Sequence, residues 1–249
     1  MYPLRRRALA ELLGTAFLVM AIIGSGIAAQ RLSPGTVGLQ LLESAAATAA
    51  ALVAILYAVG PVSGGHLNPV VTLADRVLGG MTSVDAGVYV LSQVAGATAG
   101  AMAANLMFDL PPIALSTTVR SAGGVWLGEI VATFGLLLVA FAVARSGRAA
   151  AAPMAIGAYI GAAYFFTSST SFANPAATAA RALTDTFAGI AWRSVPAFVA
   201  AQLGGAALAV VAVRALYPDV ARVAGDLVMA HPATPPAHAA DEPTAREHV

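Results

Sequence analysis

Apolar residues form six stretches that are long enough to cross a lipid bilayer, separated by short polar connections. A helix needs about 20 such residues to cross the hydrocarbon core. The predicted spans are 8–29, 38–60, 84–107, 123–144, 151–170 and 193–217. Two further stretches, 68–78 and 174–184, are only about half as long, so each can enter a membrane but not cross it. The pattern predicts an all-α membrane protein with six transmembrane helices and two re-entrant half-helices.

Each short stretch starts with the same kind of helix signal. The two signals are Asn68-Pro69-Val70 and Asn174-Pro175-Ala176. Asn is a favoured N-cap, and Pro suits the first helical turn because its missing N–H costs nothing there. Both half-helices are therefore predicted to begin at the Asn-Pro step.

The two halves of the chain repeat each other. Glu11 in the first span corresponds to Glu129 in the fourth, each followed by a Thr four residues later, and the two Asn-Pro steps lie 106 residues apart. Each half, about 4–107 and 123–217, contains three spans, so the second half must be inverted relative to the first. Short interrupted segments at matching positions of inverted repeats indicate a transport path near the middle of the membrane. Residues 1–217 are therefore expected to form one channel domain.

The amino-acid composition restricts the class of protein further. Hydrophobic residues make up 59% of the chain, charged residues 10%, and mean hydropathy is +0.79, so lipid is the expected surroundings. The net charge is +1, and no basic patch with interleaved aromatic residues suggests nucleic acid. Cysteine is absent, which excludes disulfides and thiolate sites. With no nucleophile beside a base, no metal-ligand cluster and no phosphate loop, we expect neither an enzyme nor a cofactor.

The arginines predict the orientation. With six spans, one side of the membrane receives Arg5, Arg6, Arg7, Arg145, Arg148, Arg214 and Arg222. The other side receives only Arg31, Arg120, Arg181 and Arg193. The positive-inside rule places both termini in the cytoplasm. Residues 218–249, rich in Pro, Ala and charges, are predicted to be a disordered cytoplasmic tail, with a partner-binding segment as the alternative.

With the repeat and both Asn-Pro signals, the chain resembles the major intrinsic protein family, the aquaporins and aquaglyceroporins. The resemblance covers about residues 4–217 and rests on the segment 63–72, on Asn174-Pro175-Ala176 and on the two Glu-containing helix starts. It implies a homotetramer in membrane lipid with a pore in each subunit, here in a bacterial inner membrane. It also implies passive conduction of small neutral solutes.

The half-helices carry the expected chemistry. Two helix N-termini meeting at the pore centre would each present about half a positive charge, which opposes cations while neutral solutes pass. Asn68 and Asn174 would donate amide N–H groups to a passing oxygen. By resemblance, Glu11 and Glu129 would accept hydrogen bonds from the backbone of the re-entrant loops, with a proton relay as the alternative. His66 would face the cytoplasmic half of the pore, in a structural, gating or solute-contacting role.

One departure from the family pattern changes the expected solute. Most members have Arg after the second Asn-Pro-Ala, in the narrow selectivity filter, whereas this chain has Ala177. Counting from neighbouring motifs, the other filter positions would be Thr48, Ser171 and Tyr164, with Ala162 as the alternative to Tyr164. Such a filter would be wider than one selective for water. The segment around the second motif also resembles a bacterial branch associated with arsenic resistance, which implies glycerol-like polyols and arsenous acid as solutes.

Some alternatives stay open at this level. Arg181 lies seven residues after Asn174, so its side chain could reach the pore mouth, but its i,i+4 spacing to Asp185 favours a surface ion pair. An ion-coupled secondary transporter would also suit a small polar solute. A third hypothesis is a structural or adhesive membrane protein with a vestigial pore.

Overall fold

The computed structural model describes residues 2–217, which contain eight α-helices. The six long ones are α1 (Leu4–Leu32), α2 (Val37–Ser63), α4 (Ser83–Met107), α5 (Gly123–Arg145), α6 (Ala152–Phe166) and α8 (Val195–Leu216). The two short ones are α3 (Pro69–Leu78) and α7 (Pro175–Ala180). The predicted tail at 218–249 lies outside the described residues.

The six long helices, with short 3₁₀ turns added before α6 and α8, are apolar enough to cross a membrane. The prediction of an all-α fold with six spans and two shorter helices is therefore confirmed. The fifth predicted span was too long, because α6 ends at Phe166 and not at residue 170. Thr170 and Ser171 adopt positive φ angles of 62° and 51°, which a right-handed helix does not allow.

Large apolar side chains cover the outer surface of the helix bundle. Leu91 is 72% exposed and Val211 67% exposed, although both lie within spanning helices. Exposed large apolar side chains occur on all six long helices, and water-soluble proteins rarely expose extended apolar surfaces. This surface therefore suits contact with lipid tails.

The bundle is built from two equivalent halves. Helix α1 packs along α4 and α2, and α5 packs along α8 and α6 in the same way, while α2 and α6 join the halves. Small residues permit the closest contacts. A methyl group at Gly96 would collide with the carbonyl oxygen of Leu12, and one at Gly205 with that of Ile130. The equivalence of α1–α4 and α5–α8 places the two half-helices on opposite sides of one pseudo-two-fold axis.

The half-helices begin where their capping residues require. Asn68 has an extended backbone, and its Oδ1 accepts a hydrogen bond from the backbone N–H of Val70 at 3.0 Å. In the same way, Oδ1 of Asn174 accepts hydrogen bonds from the backbone N–H groups of Ala176 and Ala177, at 3.0 and 3.2 Å. Helix α3 ends at Leu78 and is capped by Gly79, whose φ is 91°, whereas α7 continues as a 3₁₀ turn over Arg181–Leu183. Both half-helices pack against α4 and α8, so each contacts spans from both halves.

Candidate functional site

The two Asn side chains tie the half-helices together at their N-termini. Nδ2 of Asn68 donates to the carbonyl of Ala173 at 2.7 Å, and Nδ2 of Asn174 donates to the carbonyl of Leu67 at 2.8 Å. These reciprocal bonds, together with the capping bonds, fix both amides in place. Each amide has a second N–H that neither bond uses, and both side chains line the central cavity.

Glu11 holds the loop that leads into α3. Its Oε1 accepts from the backbone N–H of His66 at 3.0 Å and from the Ser63 hydroxyl at 2.6 Å. Its Oε2 accepts from the backbone N–H of Leu67 at 2.7 Å and from Gln93 at 2.8 Å. The carboxylate is fully buried, and every bond comes from a group that shapes this loop.

Glu129 holds the loop that leads into α7 in the equivalent way. It accepts from the backbone N–H groups of Phe172 at 2.8 Å and Ala173 at 2.9 Å. Gln202 donates to the same carboxylate at 2.6 Å and also to the hydroxyl of Thr178. Gln93 makes the matching bond to Thr72 in the first half. Apart from the additional Ser63 bond to Glu11, the two loops are thus supported by equivalent contacts, repeated about the pseudo-two-fold axis.

A cavity of about 670 Å³, including its open mouths, runs past the junction of the half-helices. Apolar side chains from the spanning helices form much of its wall: Leu18, Ile22, Leu52, Leu56, Leu136, Ile156 and Ile160. Polar residues and residues of the two loops contribute to the other parts of the wall, among them Thr48, Gly65, His66, Asn68, Tyr164, Ser171, Asn174 and Arg181. Such a wall offers a solute a few fixed hydrogen-bonding groups on an otherwise apolar surface.

The four filter candidates line this cavity together. They are Thr48, Tyr164, Ser171 and Ala177. The Tyr164 hydroxyl donates to the hydroxyl of Thr48 at 3.3 Å, which joins α6 to α2 across the cavity wall. Ala162, the alternative to Tyr164, is exposed on the outside of the bundle. Ala177 contributes only a methyl group where the family resemblance implies an Arg.

The preferred surface pairing of Arg181 is wrong. Its side chain is 5% exposed and lines the cavity, and its Nε donates to the carbonyl of Ala188. Asp185 is occupied elsewhere, because it accepts from the backbone N–H and hydroxyl of Thr117 at 2.9 and 3.1 Å. The i,i+4 rule failed because α7 tightens into a 3₁₀ turn at Arg181, which breaks the helical spacing to Asp185.

His66 lies at the other end of the cavity. Its Nδ1 is 3.1 Å from the Thr72 hydroxyl, and its ring contacts the Tyr89 ring edge-on, with 5.3 Å between centroids. Its Nε2 is 3.7 Å from Oδ2 of Asp75. Asp75 escaped the sequence reasoning, although it lies seven residues after Asn68, as Arg181 lies seven after Asn174. That shared offset was the signal that could have identified it.

Arg120 is a second residue that sequence reasoning missed. It lies in the connection between α4 and α5, and its guanidinium carbon is 5.3 Å from the centre of the Phe172 ring, which lines the cavity. Burial lowers the pKa of Arg120 from its ordinary value. No motif marks this position, because the path of a long connection cannot be read from hydrophobic spacing.

Comparison with known proteins agrees with this geometry. The family model described as "Major intrinsic protein" matches residues 2–172. The chain is 47% identical over 213 residues to the aquaglyceroporin AqpS of Rhizobium meliloti (strain 1021), covering 86% of this chain and 91% of that one. It is 36% identical over 162 residues to the lens fiber major intrinsic protein of Ovis aries, covering 61% of this chain and 59% of that one.

The fold comparison gives the same answer. The crystal structure of the aquaglyceroporin from Plasmodium falciparum superposes with a TM-score of 0.64 at 18% identity, covering 88% of this chain and 99% of that one. At that identity the likeness concerns the fold alone. The family match extends over more than half of the chain, and the bacterial relative is similar over nearly its whole length. The chain belongs to the major intrinsic protein family.

Proposed function

We propose that the protein is a passive channel for small uncharged solutes, namely water and glycerol-like polyols. The observation that carries this proposal is the junction of the two half-helices, where reciprocal bonds from Asn68 and Asn174 hold both helix N-termini at the cavity wall. Each N-terminus contributes about half a positive charge. The fixed field opposes cations and hydronium, while the free amide N–H groups can donate hydrogen bonds to an oxygen of a neutral solute.

We also propose that the filter is widened and admits arsenous acid. The support is the methyl group of Ala177 beside the small side chains of Thr48 and Ser171. Arsenous acid is a neutral trihydroxide of about glycerol's size, so the same hydrogen-bonding groups would serve both solutes. The 47% identical relative carries the name aquaglyceroporin, which supports a solute larger than water.

The proposed setting is a homotetramer in a bacterial inner membrane, with both termini in the cytoplasm. The excess of arginines on one side supports the orientation. The exposed apolar helix faces, such as those with Leu91 and Val211, suit either lipid or neighbouring subunits. A cross-linking ladder and protease access from one side of sealed vesicles would test these two points.

The alternative of an ion-coupled transporter has less support. A proton-carrying carboxylate must exchange with solvent, but Glu11 and Glu129 are fully buried and their oxygens accept hydrogen bonds from the loops. The deciding experiment is glycerol flux into proteoliposomes. A channel gives a flux that rises linearly with the gradient and is unchanged by an uncoupler. Saturable flux that collapses with the uncoupler would favour the transporter, and flux no greater than that of empty liposomes would favour a vestigial pore.

A further inference from the structure

Two guanidinium groups converge on one aromatic ring at the end of the cavity opposite His66. The guanidinium carbon of Arg181 lies 3.4 Å from the centre of the Phe172 ring, and that of Arg120 lies 5.3 Å from it. The two arginines come from different parts of the chain, the turn after α7 and the connection before α5. Two positive charges therefore lie against one ring of the cavity wall.

Backbone carbonyls of one short segment hold both side chains by their Nε atoms. Arg181 donates to Ala188, and Arg120 donates to Gly189 at 3.0 Å, with a longer bond of 3.4 Å from its Nη2 to Phe187. Within residues 2–217, the Nη atoms of Arg181 donate no hydrogen bond. Since Arg181 is 95% buried and lines the cavity, its free donors are directed at the solute space.

No carboxylate forms an ion pair with either guanidinium in the part of the chain that the structure describes. The ion pairs found there are Arg7 with Asp85 and His66 with Asp75, at the opposite end of the cavity. Asp185 is bound to Thr117. Buried charges in proteins are normally paired, because an isolated one loses its hydration without compensation. An arginine pair without a partner therefore points to an anion from solution.

A further donor lies in the same wall. The hydroxyl of Ser171, next to Phe172 in the chain, is buried and has no hydrogen-bond partner among residues 2–217. An unpaired buried hydroxyl lacks a protein partner, and an oxygen of a bound anion is one group that could supply it. The planar guanidinium group presents paired N–H donors that match two oxygens of an oxyanion.

We propose that Arg181, Arg120 and Ser171 form a binding site for a small oxyanion, and that the bound anion obstructs the entrance of the proposed solute channel. The obstruction rests on the proposed function, whereas the binding itself does not. The anion stays at the mouth because the wall beyond it is largely apolar, with Leu52, Ile156 and Ile160 among its side chains. Moving a charge along that wall costs more than leaving it on the arginines.

The flux test compares sulfate with chloride on both sides of proteoliposomes, at matched ionic strength and osmolarity. We expect millimolar sulfate to lower wild-type glycerol permeability severalfold and saturably relative to chloride. The readout is the sulfate-to-chloride ratio within each variant, so a change in basal flux does not matter. This ratio should return to about one in Arg181→Gln. In Arg120→Gln, a higher sulfate concentration should be needed to lower the ratio as far as in wild type. Arg148→Gln, at an exposed position, should behave as wild type.

A binding test covers the case in which no flux is seen. Millimolar sulfate should raise the unfolding temperature of the detergent-solubilised wild type above its value in matched chloride. Sulfate also stabilises proteins without a site, so the shift must be larger than that of Arg181→Gln. Absent glycerol flux with a specific shift would refute the proposed channel but support the site. Equal shifts in wild type and Arg181→Gln, or inhibition that persists in both arginine variants, would mean an adventitious ion only and overturn the proposal.

Discussion

Glu129 gives the sharpest test of how the second re-entrant loop is held. Its Oε1 accepts from Phe172, whereas its Oε2 accepts from both Ala173 and Gln202. In Glu129→Gln, the amide oxygen is expected to take the place of Oε2, so only the N–H of Phe172 loses its partner. A buried N–H donor that is left without an acceptor lowers the free energy of unfolding by about 1–3 kcal/mol. In Glu129→Leu the N–H groups of Phe172 and Ala173 both lose their only acceptor, and Gln202 keeps only its bond to Thr178, so the loss is at least about 2–6 kcal/mol at the same cost per group.

The assay pairs thermal unfolding in detergent with glycerol flux in proteoliposomes. We expect a moderate loss of stability and flux in Glu129→Gln. In Glu129→Leu we expect a large loss of both, because Ala173 carries the carbonyl that binds Asn68. Asp109→Asn, at an exposed position whose side chain makes no hydrogen bond within residues 2–217, removes a carboxylate charge outside the loop support and should change stability by less than about 0.5 kcal/mol. Wild-type stability and flux in Glu129→Leu would refute this account of the loop.

Three further predictions concern packing, capping and reactivity. Gly205→Ala should lower the unfolding temperature, because its methyl group meets the carbonyl of Ile130, while Gly204→Ala, with open space around it, should not; equal effects would contradict the helix contact. Asn174→Ala removes a helix cap worth about 1 kcal/mol and the bond to Leu67, so stability and glycerol flux should both fall, and unchanged flux would contradict the role of this amide. Mercuric ions should not inhibit flux through a thiol, because the chain has no cysteine; inhibition reversed by a thiol reductant would be inconsistent with that.

The architecture could be predicted from sequence because the bilayer constrains it strongly. Hydrophobic length alone located the six spans and the two segments too short to cross. The Asn-Pro steps gave the starts of both half-helices, since N-capping depends on neighbours in sequence. The ends were less predictable. Helix α6 stops at Phe166 because Thr167 takes an extended backbone, and the loop then turns through positive φ angles, which its composition does not reveal.

Side-chain contacts between distant segments were harder to predict. The pairing of Arg181 with Asp185 assumed an unbroken helix. Instead, the chain forms a 3₁₀ turn at Arg181, and Nε of Arg181 donates to the carbonyl of Ala188. Arg120 reaches Phe172 from 52 positions earlier, which no local rule anticipates. Asp75, in contrast, could have been found from the repeat, because it occupies the position equivalent to Arg181.

The central claim is that the channel passes solutes larger than water because Ala177 replaces a filter arginine. Stopped-flow light scattering on proteoliposomes should compare water, glycerol and arsenous acid for wild type, Ala177→Arg and the uncharged Ala177→Leu. The account predicts that wild type passes all three solutes. Ala177→Arg should lose about tenfold or more of the two larger fluxes, equivalent to about 1.4 kcal/mol of barrier, while keeping water flux. Ala177→Leu should also narrow the filter and therefore lower the fluxes of the two larger solutes. A wild type that passes water alone would contradict the claim.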